Sequence, residues 1–163
     1  MLINTARRFA AVAALVVVAA PLAHAQTATQ TVTFAVNAIN QIAVTGAPSL
    51  TITTATAGSA PTSVTDATAT WAVTTNQTGA KITASIATNM PAGLTLSSSL
   101  AAPTGGASAG FQALSTVAAD VVTGITKLAQ SGLVVTYKLD ATAAAGVIAS
   151  GTRVVTYTIT GGT

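Results

Sequence analysis

Few residues in this chain are able to carry acid–base, nucleophilic or metal chemistry. It contains three acidic residues, Asp66, Asp120 and Asp140, one histidine, His24, and no cysteine. His24 belongs to a segment interpreted below as a leader, so the rest of the chain has no residue set for Ser-His-Asp or Cys-His catalysis. The usual zinc and copper ligands are missing from it as well. We therefore predict no catalytic residues, no bound metal and no cofactor, and hence that the protein is not an enzyme.

The three aspartates are also poorly placed for working together. A glycoside hydrolase needs two carboxyl groups about 5–9.5 Å apart, and a calcium site needs about 6–8 oxygen ligands. Asp66 precedes a predicted strand, Asp120 lies in an irregular segment and Asp140 ends a strand. Nothing in this spacing pairs them, and aspartate is common in turns. We interpret all three as turn and surface carboxylates.

The first 25 residues have the pattern of a cleavable signal peptide. Arg7 and Arg8 precede an apolar run from Phe9 to Ala20, and Ala23 to Ala25 forms a small-x-small cleavage site. The apolar run is shorter than the roughly 20 residues that a membrane-spanning helix needs, which disfavours a retained anchor. We predict cleavage after Ala25 and a secreted protein, extracellular or at the cell surface, with the periplasm as the other possible location.

Residues 26–163 are expected to form one domain without disulfides. Removal of the leader's two arginines leaves four basic against three acidic residues, a net charge of +1. The four basic residues are Lys81, Lys127, Lys138 and Arg153. Such scattered cations do not make the positive stripe that phosphate binding requires, so we expect no nucleic-acid partner. We also expect no membrane span once the signal is removed.

Alternation of apolar residues with threonine is the main structural signal. It predicts several short strands, separated by turns, with no helix of useful length. The predicted fold is therefore all-β: a single antiparallel, immunoglobulin-like β-sandwich of about seven to nine strands. Asn76 to Gly79 has the length of a hairpin connection. The inward-facing positions include Leu50, Ile52, Ala69, Trp71, Val73, Ile82, Ala84, Ile86, Leu94, Leu96, Leu133, Val135, Tyr137, Leu139, Val155, Tyr157 and Ile159.

The predicted first strand, from Thr29 to Val44 with an interruption near Asn40, admits two interpretations. It can be the first strand of its own sandwich, since sequential elements normally pack within one domain. It can instead pair with a neighbouring molecule by strand addition, with Val32, Phe34 and Val36 filling the neighbour's groove. Periodicity does not distinguish pairing within a chain from pairing between chains.

Three aromatic residues, Trp71, Tyr137 and Tyr157, raise the alternative of a sugar-stacking platform. Trp71 has the same parity as Ala69 and Val73 in its strand. Tyr137 likewise alternates with polar neighbours. This is the parity of the core, so we interpret these residues as buried aromatics rather than as a binding surface.

Three segments carry a resemblance to known proteins. They are the stretch from Thr31 to Asn40, the strand from Trp71 to Asn76 and the ending from Val154 to Thr160. In layout they resemble small exported immunoglobulin-like β-sandwich proteins of bacteria. More broadly the chain is similar to donor-strand pilus subunits, although it lacks the cysteines that many of them have. The resemblance implies a sandwich fold and, more remotely, assembly by strand addition.

These observations lead to an expected function of the structural class. We expect an exported, non-enzymatic subunit that assembles with copies of itself at the cell surface or as a filament. The alternative is a secreted binding module, adhesin-like or carbohydrate-binding, with a site on its loops. An ice-binding surface would need regular Thr-x-Thr repeats, which are absent. An outer-membrane barrel would need aromatic girdles, and only 4% of the residues are aromatic.

Overall fold

The computed structural model describes residues 25–163. The features assigned to the signal peptide before Ala25 therefore lie outside the described residues. The chain divides after Ala35 into two units, and the described residues of the first, 25–35, have no regular secondary structure and are all exposed. In the described range we find no helix with the length and apolar character needed to cross a membrane.

The second unit, residues 36–163, is all-β. Its described residues contain nine strands and a single 3-10 turn at Ala143–Ala145, with no α-helix. The strands are β1 (Asn40–Thr45), β2 (Val64–Thr75), β3 (Ala80–Ile86), β4 (Leu94–Leu100), β5 (Ala107–Ser108), β6 (Gln112–Ala113), β7 (Ala119–Ile125), β8 (Leu128–Ala141) and β9 (Val155–Thr160).

The strands form two antiparallel sheets. One has five strands in the order β1-β2-β8-β4-β6, and the other has four in the order β5-β7-β3-β9. Every pairing in both sheets is antiparallel. The prediction of an all-β fold with antiparallel strands is confirmed.

One apolar core draws its residues from both sheets. Alternate residues of β2 and β8 enter it from the five-stranded sheet, as the period of two in a strand requires. β3 and β7 contribute from the four-stranded sheet, where Ile82 and Val122 face each other and are fully buried. The buried set is Ala69, Trp71, Val73, Ala80, Ile82, Ala84, Ile86, Leu96, Leu100, Leu114, Val121, Val122, Ile125, Leu133, Val135 and Tyr137.

The connection from β2 to β3 is short but is not a hairpin. β2 ends at Thr75 and β3 begins at Ala80, as the turn signal indicates, yet the two strands lie in different sheets. The connection is bonded to distant segments instead: Gln77 O accepts from Lys127 N, and Thr78 exchanges backbone hydrogen bonds with Thr163. The predicted length of this connection is therefore confirmed. The prediction that the strands on either side of it pair with each other is wrong.

The predicted second strand at Leu50 and Ile52 is not present. Both side chains are half-buried and alternate with exposed threonines, as a strand pattern would have them. No strand of the described residues pairs with them, and the nearest pairing is a single antiparallel bridge between Ala55 and Pro61. Ser49 N donates to the Asp66 carboxylate at 2.9 Å rather than to a backbone carbonyl. The alternation therefore indicates which side of this segment faces the core, but it does not indicate whether the segment pairs with a strand.

The sequence pattern predicts a short strand from Phe111 to Thr116 and leaves Ala118 to Val122 open between one helical turn and part of a strand. The first contains only the two-residue strand β6. The second, which the pattern left open between a helical turn and a strand, belongs to β7. Val121 and Val122 are both fully buried.

Gly46 ends β1 in a position that only glycine tolerates well. Its φ is +112°, and a Cβ there would lie 2.7 Å from the Cα of Ala69. We expect Gly46→Ala to destabilise the fold by about 2–3 kcal/mol, from backbone strain and displacement of β2. Denaturant unfolding measures the change. Gly151→Ala is the control, because no atom lies within 4 Å of its added Cβ. Equal stabilities of the two variants would contradict the assigned conformation of Gly46.

Candidate assembly site

The sequence-predicted assembly residues lie outside both sheets. The exposed fractions of Val32, Phe34 and Val36 are 73%, 90% and 80%. None of the three belongs to a strand. The prediction of a half-buried strand over 29–44 is therefore wrong for 29–39, and only Asn40–Thr45 pairs. The apolar side chains at these alternating positions are therefore exposed.

The end of β2 explains why pairing stops at Asn40. In the β1–β2 ladder Asn40 faces Thr75, which is the last residue of β2. Among the described residues no strand opposes those before Asn40, and Asn76 holds them through both its backbone and its side chain. Asn76 N donates to Ile39 O at 3.3 Å. Ile39 N donates to Asn76 Oδ1 at 2.8 Å, and Asn76 Nδ2 donates to Asn37 O at 2.8 Å. This anchor fixes the point from which the exposed segment leaves the fold.

A cleft of about 700 Å³ lies in the second unit. The residues that line it include the segment 50–55, the segment 145–151 with Arg153, and Met90, Leu94 and Leu139. Among residues 25–163 the lining is mostly aliphatic, with no aromatic side chain and one charged residue, Arg153. Leu50 and Met90 pack against the buried core. The cleft is thus a place where the core is incompletely covered.

Two segments at the cleft lack backbone–backbone hydrogen bonds to the rest of the described chain. Among the backbone–backbone hydrogen bonds of residues 25–163, none involves residues 50–53 or 147–152. Ile148 is 40% exposed and Val147 fully exposed. Unpaired N–H and C=O groups in extended segments are a template for pairing with another strand.

The three aspartates are engaged in separate local contacts. The Lys81 Nζ to Asp120 Oδ1 distance is 2.9 Å, and both groups are exposed. Asp140 accepts from the Ser63 hydroxyl, and its Oδ2 lies 3.0 Å from Lys138 Nζ. In the part of the chain that is described, no three acidic, histidine or cysteine residues cluster as metal ligands would.

Asp66 caps the bulge at the start of β2. Its carboxylate accepts from Thr68 Oγ1 at 2.6 Å, Ser49 N at 2.9 Å and Thr68 N at 2.8 Å. These bonds favour the charged form, so they lower the pKa of Asp66 below its ordinary value of 3.8, with the Thr68 hydroxyl as the largest cause. The Ser63 hydroxyl is the main cause of the lowered pKa of Asp140.

The lowered pKa of Asp66 predicts a loss of stability in acid. The unfolded chain binds the proton more tightly, so this contribution is complete above about pH 4 and disappears as the pH falls through the lower, folded-state pKa. We expect Asp66→Asn to flatten the pH dependence of the urea midpoint between about pH 2 and pH 5. Part of the dependence should remain, because Asp140 behaves in the same way. An unchanged pH profile would contradict this role.

The aromatic residues lie where the sequence places them. Trp71 is 1% and Tyr137 7% exposed, so neither offers a stacking face to a sugar. The Tyr157 hydroxyl donates to the Tyr137 hydroxyl at 3.0 Å and joins β9 of one sheet to β8 of the other. Burial is the largest cause of a raised pKa for both phenols. The interpretation of Trp71 and Tyr137 as core residues is confirmed.

Sequence reasoning missed the cleft and the anchor. The sequence pattern predicts a strand at Leu50 and Ile52 and a small-residue loop from Ala141 to Gly151, which includes Val147 and Ile148, and it indicates only a turn at Asn76. The signal for the cleft was present in the Leu50–Ile52 alternation. Comparison of the chain with protein-family models, with curated proteins and with solved structures finds no match.

Proposed function

We propose that the protein is an exported structural subunit, built as an immunoglobulin-like sandwich, which assembles with copies of itself by strand addition. The observation that carries this proposal is the alternation of Val32, Phe34 and Val36, whose side chains are exposed and which belong to no strand. An apolar face with a period of two is what an added strand presents to a groove.

Burial of these side chains supplies the energy for association. Moving a valine or phenylalanine from water into an apolar site contributes about 1.5–3 kcal/mol per side chain. Backbone hydrogen bonds to an acceptor would add to this, since an added strand pairs its free N–H and C=O groups. Three such side chains spaced two residues apart favour a specific interface over scattered surface contacts.

The charge balance supports close packing of identical copies. With four basic and three acidic residues after position 25, long-range repulsion between subunits is weak. Two of the aspartates already lie within salt-bridge distance of lysines in their own chain. A surface with so little net charge favours association.

Electron microscopy and light scattering on residues 26–163, purified from the extracellular fraction of the native host, test the proposal. We expect regular filaments or sheets whose formation depends on concentration. A monodisperse monomer at all concentrations would overturn it. Recovery of residues 26–163 only from the cytoplasm would overturn the exported location.

The cleft also supports a second candidate, a secreted binding module. Its volume of about 700 Å³ is in the range of small-ligand sites. Its aliphatic lining lacks the aromatic faces that grip sugars, so an apolar ligand suits it better than a carbohydrate. A glycan array and a panel of fatty acids would test this candidate. No binding above background in either would remove it.

A further inference from the structure

We propose that the cleft between segments 50–55 and 145–153 is the acceptor for residues 31–36 of a second copy of this chain. This inference rests on the proposed function and adds the surface that the donor segment occupies. Val32, Phe34 and Val36 of the donor would lie against Leu50, Ile52 and the exposed part of the core at Met90, Leu94 and Leu139 of the acceptor.

Donor and acceptor are complementary in two independent ways. The donor presents apolar side chains at every second residue, and the cleft is mostly aliphatic. The donor backbone forms no strand, and residues 50–53 and 147–152 have no backbone–backbone hydrogen bond within the described chain. A strand laid in the cleft would supply hydrogen-bond partners to these backbone groups.

The segment is too short to reach the cleft of its own chain, so the occupant must come from a second copy. Asn76 holds Asn37 and Ile39 at one end of β2, whereas Asp66 holds Ser49, next to the segment 50–55, near the other end. Ten residues of strand separate Asp66 from Asn76, or about 33 Å. Val32 is five residues from Asn37 and can reach at most about 18 Å. While the Asn76 anchor holds, the segment cannot enter its own cleft.

The same geometry determines the kind of assembly. The donor leaves the fold at one end of β2 and the acceptor lies toward the other, so two different surfaces meet in every contact. Such a head-to-tail contact leaves a free donor and a free acceptor after each addition, and it builds an open chain unless the rotation closes a ring. The expected product is a filament.

A mixing experiment with two half-defective variants tests the inference. Deletion of Gln26 to Val36 removes the donor and leaves the whole buried core, so this variant can only accept. Ile52→Asp puts a charge into the cleft, so this variant can only donate. We expect each alone to be monomeric and a one-to-one mixture to give a capped heterodimer, measured by light scattering.

Controls separate the failure of this inference from that of the proposed function. Val117→Asp, an exposed position outside the cleft, should assemble like the parent. If Ile52→Asp unfolds, Ile52→Thr replaces it and should raise the critical concentration at least about tenfold. If a folded Ile52→Asp protein forms filaments, the cleft is not the acceptor, whereas the proposal of self-assembly is still supported. A parent chain that never assembles would overturn both.

Discussion

Replacing Phe34 with serine is expected to raise the critical concentration for assembly of residues 26–163 by about tenfold to a hundredfold. Phe34 is 90% exposed and is the largest apolar side chain of the N-terminal segment. Losing its burial removes about 1.5–3 kcal/mol from each contact, and 1.4 kcal/mol corresponds to a factor of ten in affinity. Sedimentation of a concentration series measures the shift.

The stability of the subunit itself should not change in the Phe34→Ser variant. Residues 25–35 form no part of the core and lie in no strand. Val117→Ser is the matched control, since Val117 is 74% exposed but belongs neither to the segment nor to the cleft. A Phe34→Ser protein that assembles at the parent's concentration would exclude the segment as the donor.

Ile82→Ala is expected to lower the free energy of unfolding by about 2–5 kcal/mol, the second large effect. Ile82 is fully buried at the centre of β3, opposite Val122 of β7 on one side and Ile159 of β9 on the other. Truncation loses the transfer energy of the removed carbons and leaves a cavity between three strands. Urea unfolding with an unchanged slope is the measurement.

Val117→Ala is the control for the stability change of Ile82→Ala. Its side chain is exposed in an irregular segment, so we expect its stability to stay within about 0.5 kcal/mol of the parent. An Ile82→Ala change as small as that of Val117→Ala would mean that the two sheets do not share the core described above.

The two large effects separate two parts of the molecule. Ile82 stabilises the fold without contacting the cleft, and Phe34 contributes to association without stabilising the fold. A subunit built in this way can fold before it assembles. Asn76 holds Asn37 and Ile39 next to the last pair of the β1–β2 ladder.

Much of the fold follows from local sequence. The alternation around Trp71, Tyr137 and Ile159 identifies β2, β8 and β9 and gives the correct inward face for each. Successive side chains of a strand point to opposite faces, so burial of one face requires an apolar residue at every second position of the sequence. The shortage of acidic residues, histidine and cysteine is likewise visible without a structure.

Pairing, in contrast, was decided only in the folded chain. Residues 29–36 and residues 50–53 alternate as well as β9 does, yet neither segment pairs with a strand in the described part of the chain. The Asn76 to Gly79 link has hairpin length, yet it carries the chain from one sheet to the other. Alternation reports which side of a segment is apolar, while a strand also needs a neighbour whose backbone lies within hydrogen-bonding distance.

The sequence by itself thus determined the all-β class, the inward residues of the main strands and the small number of reactive side chains. Only the tertiary structure decided that β1 begins at Asn40, that the segment before it stays uncovered and that a cleft opens beside residues 50–55. The reason is physical: side-chain burial is a local pattern with a period of two, but strand pairing depends on where distant segments of the chain meet.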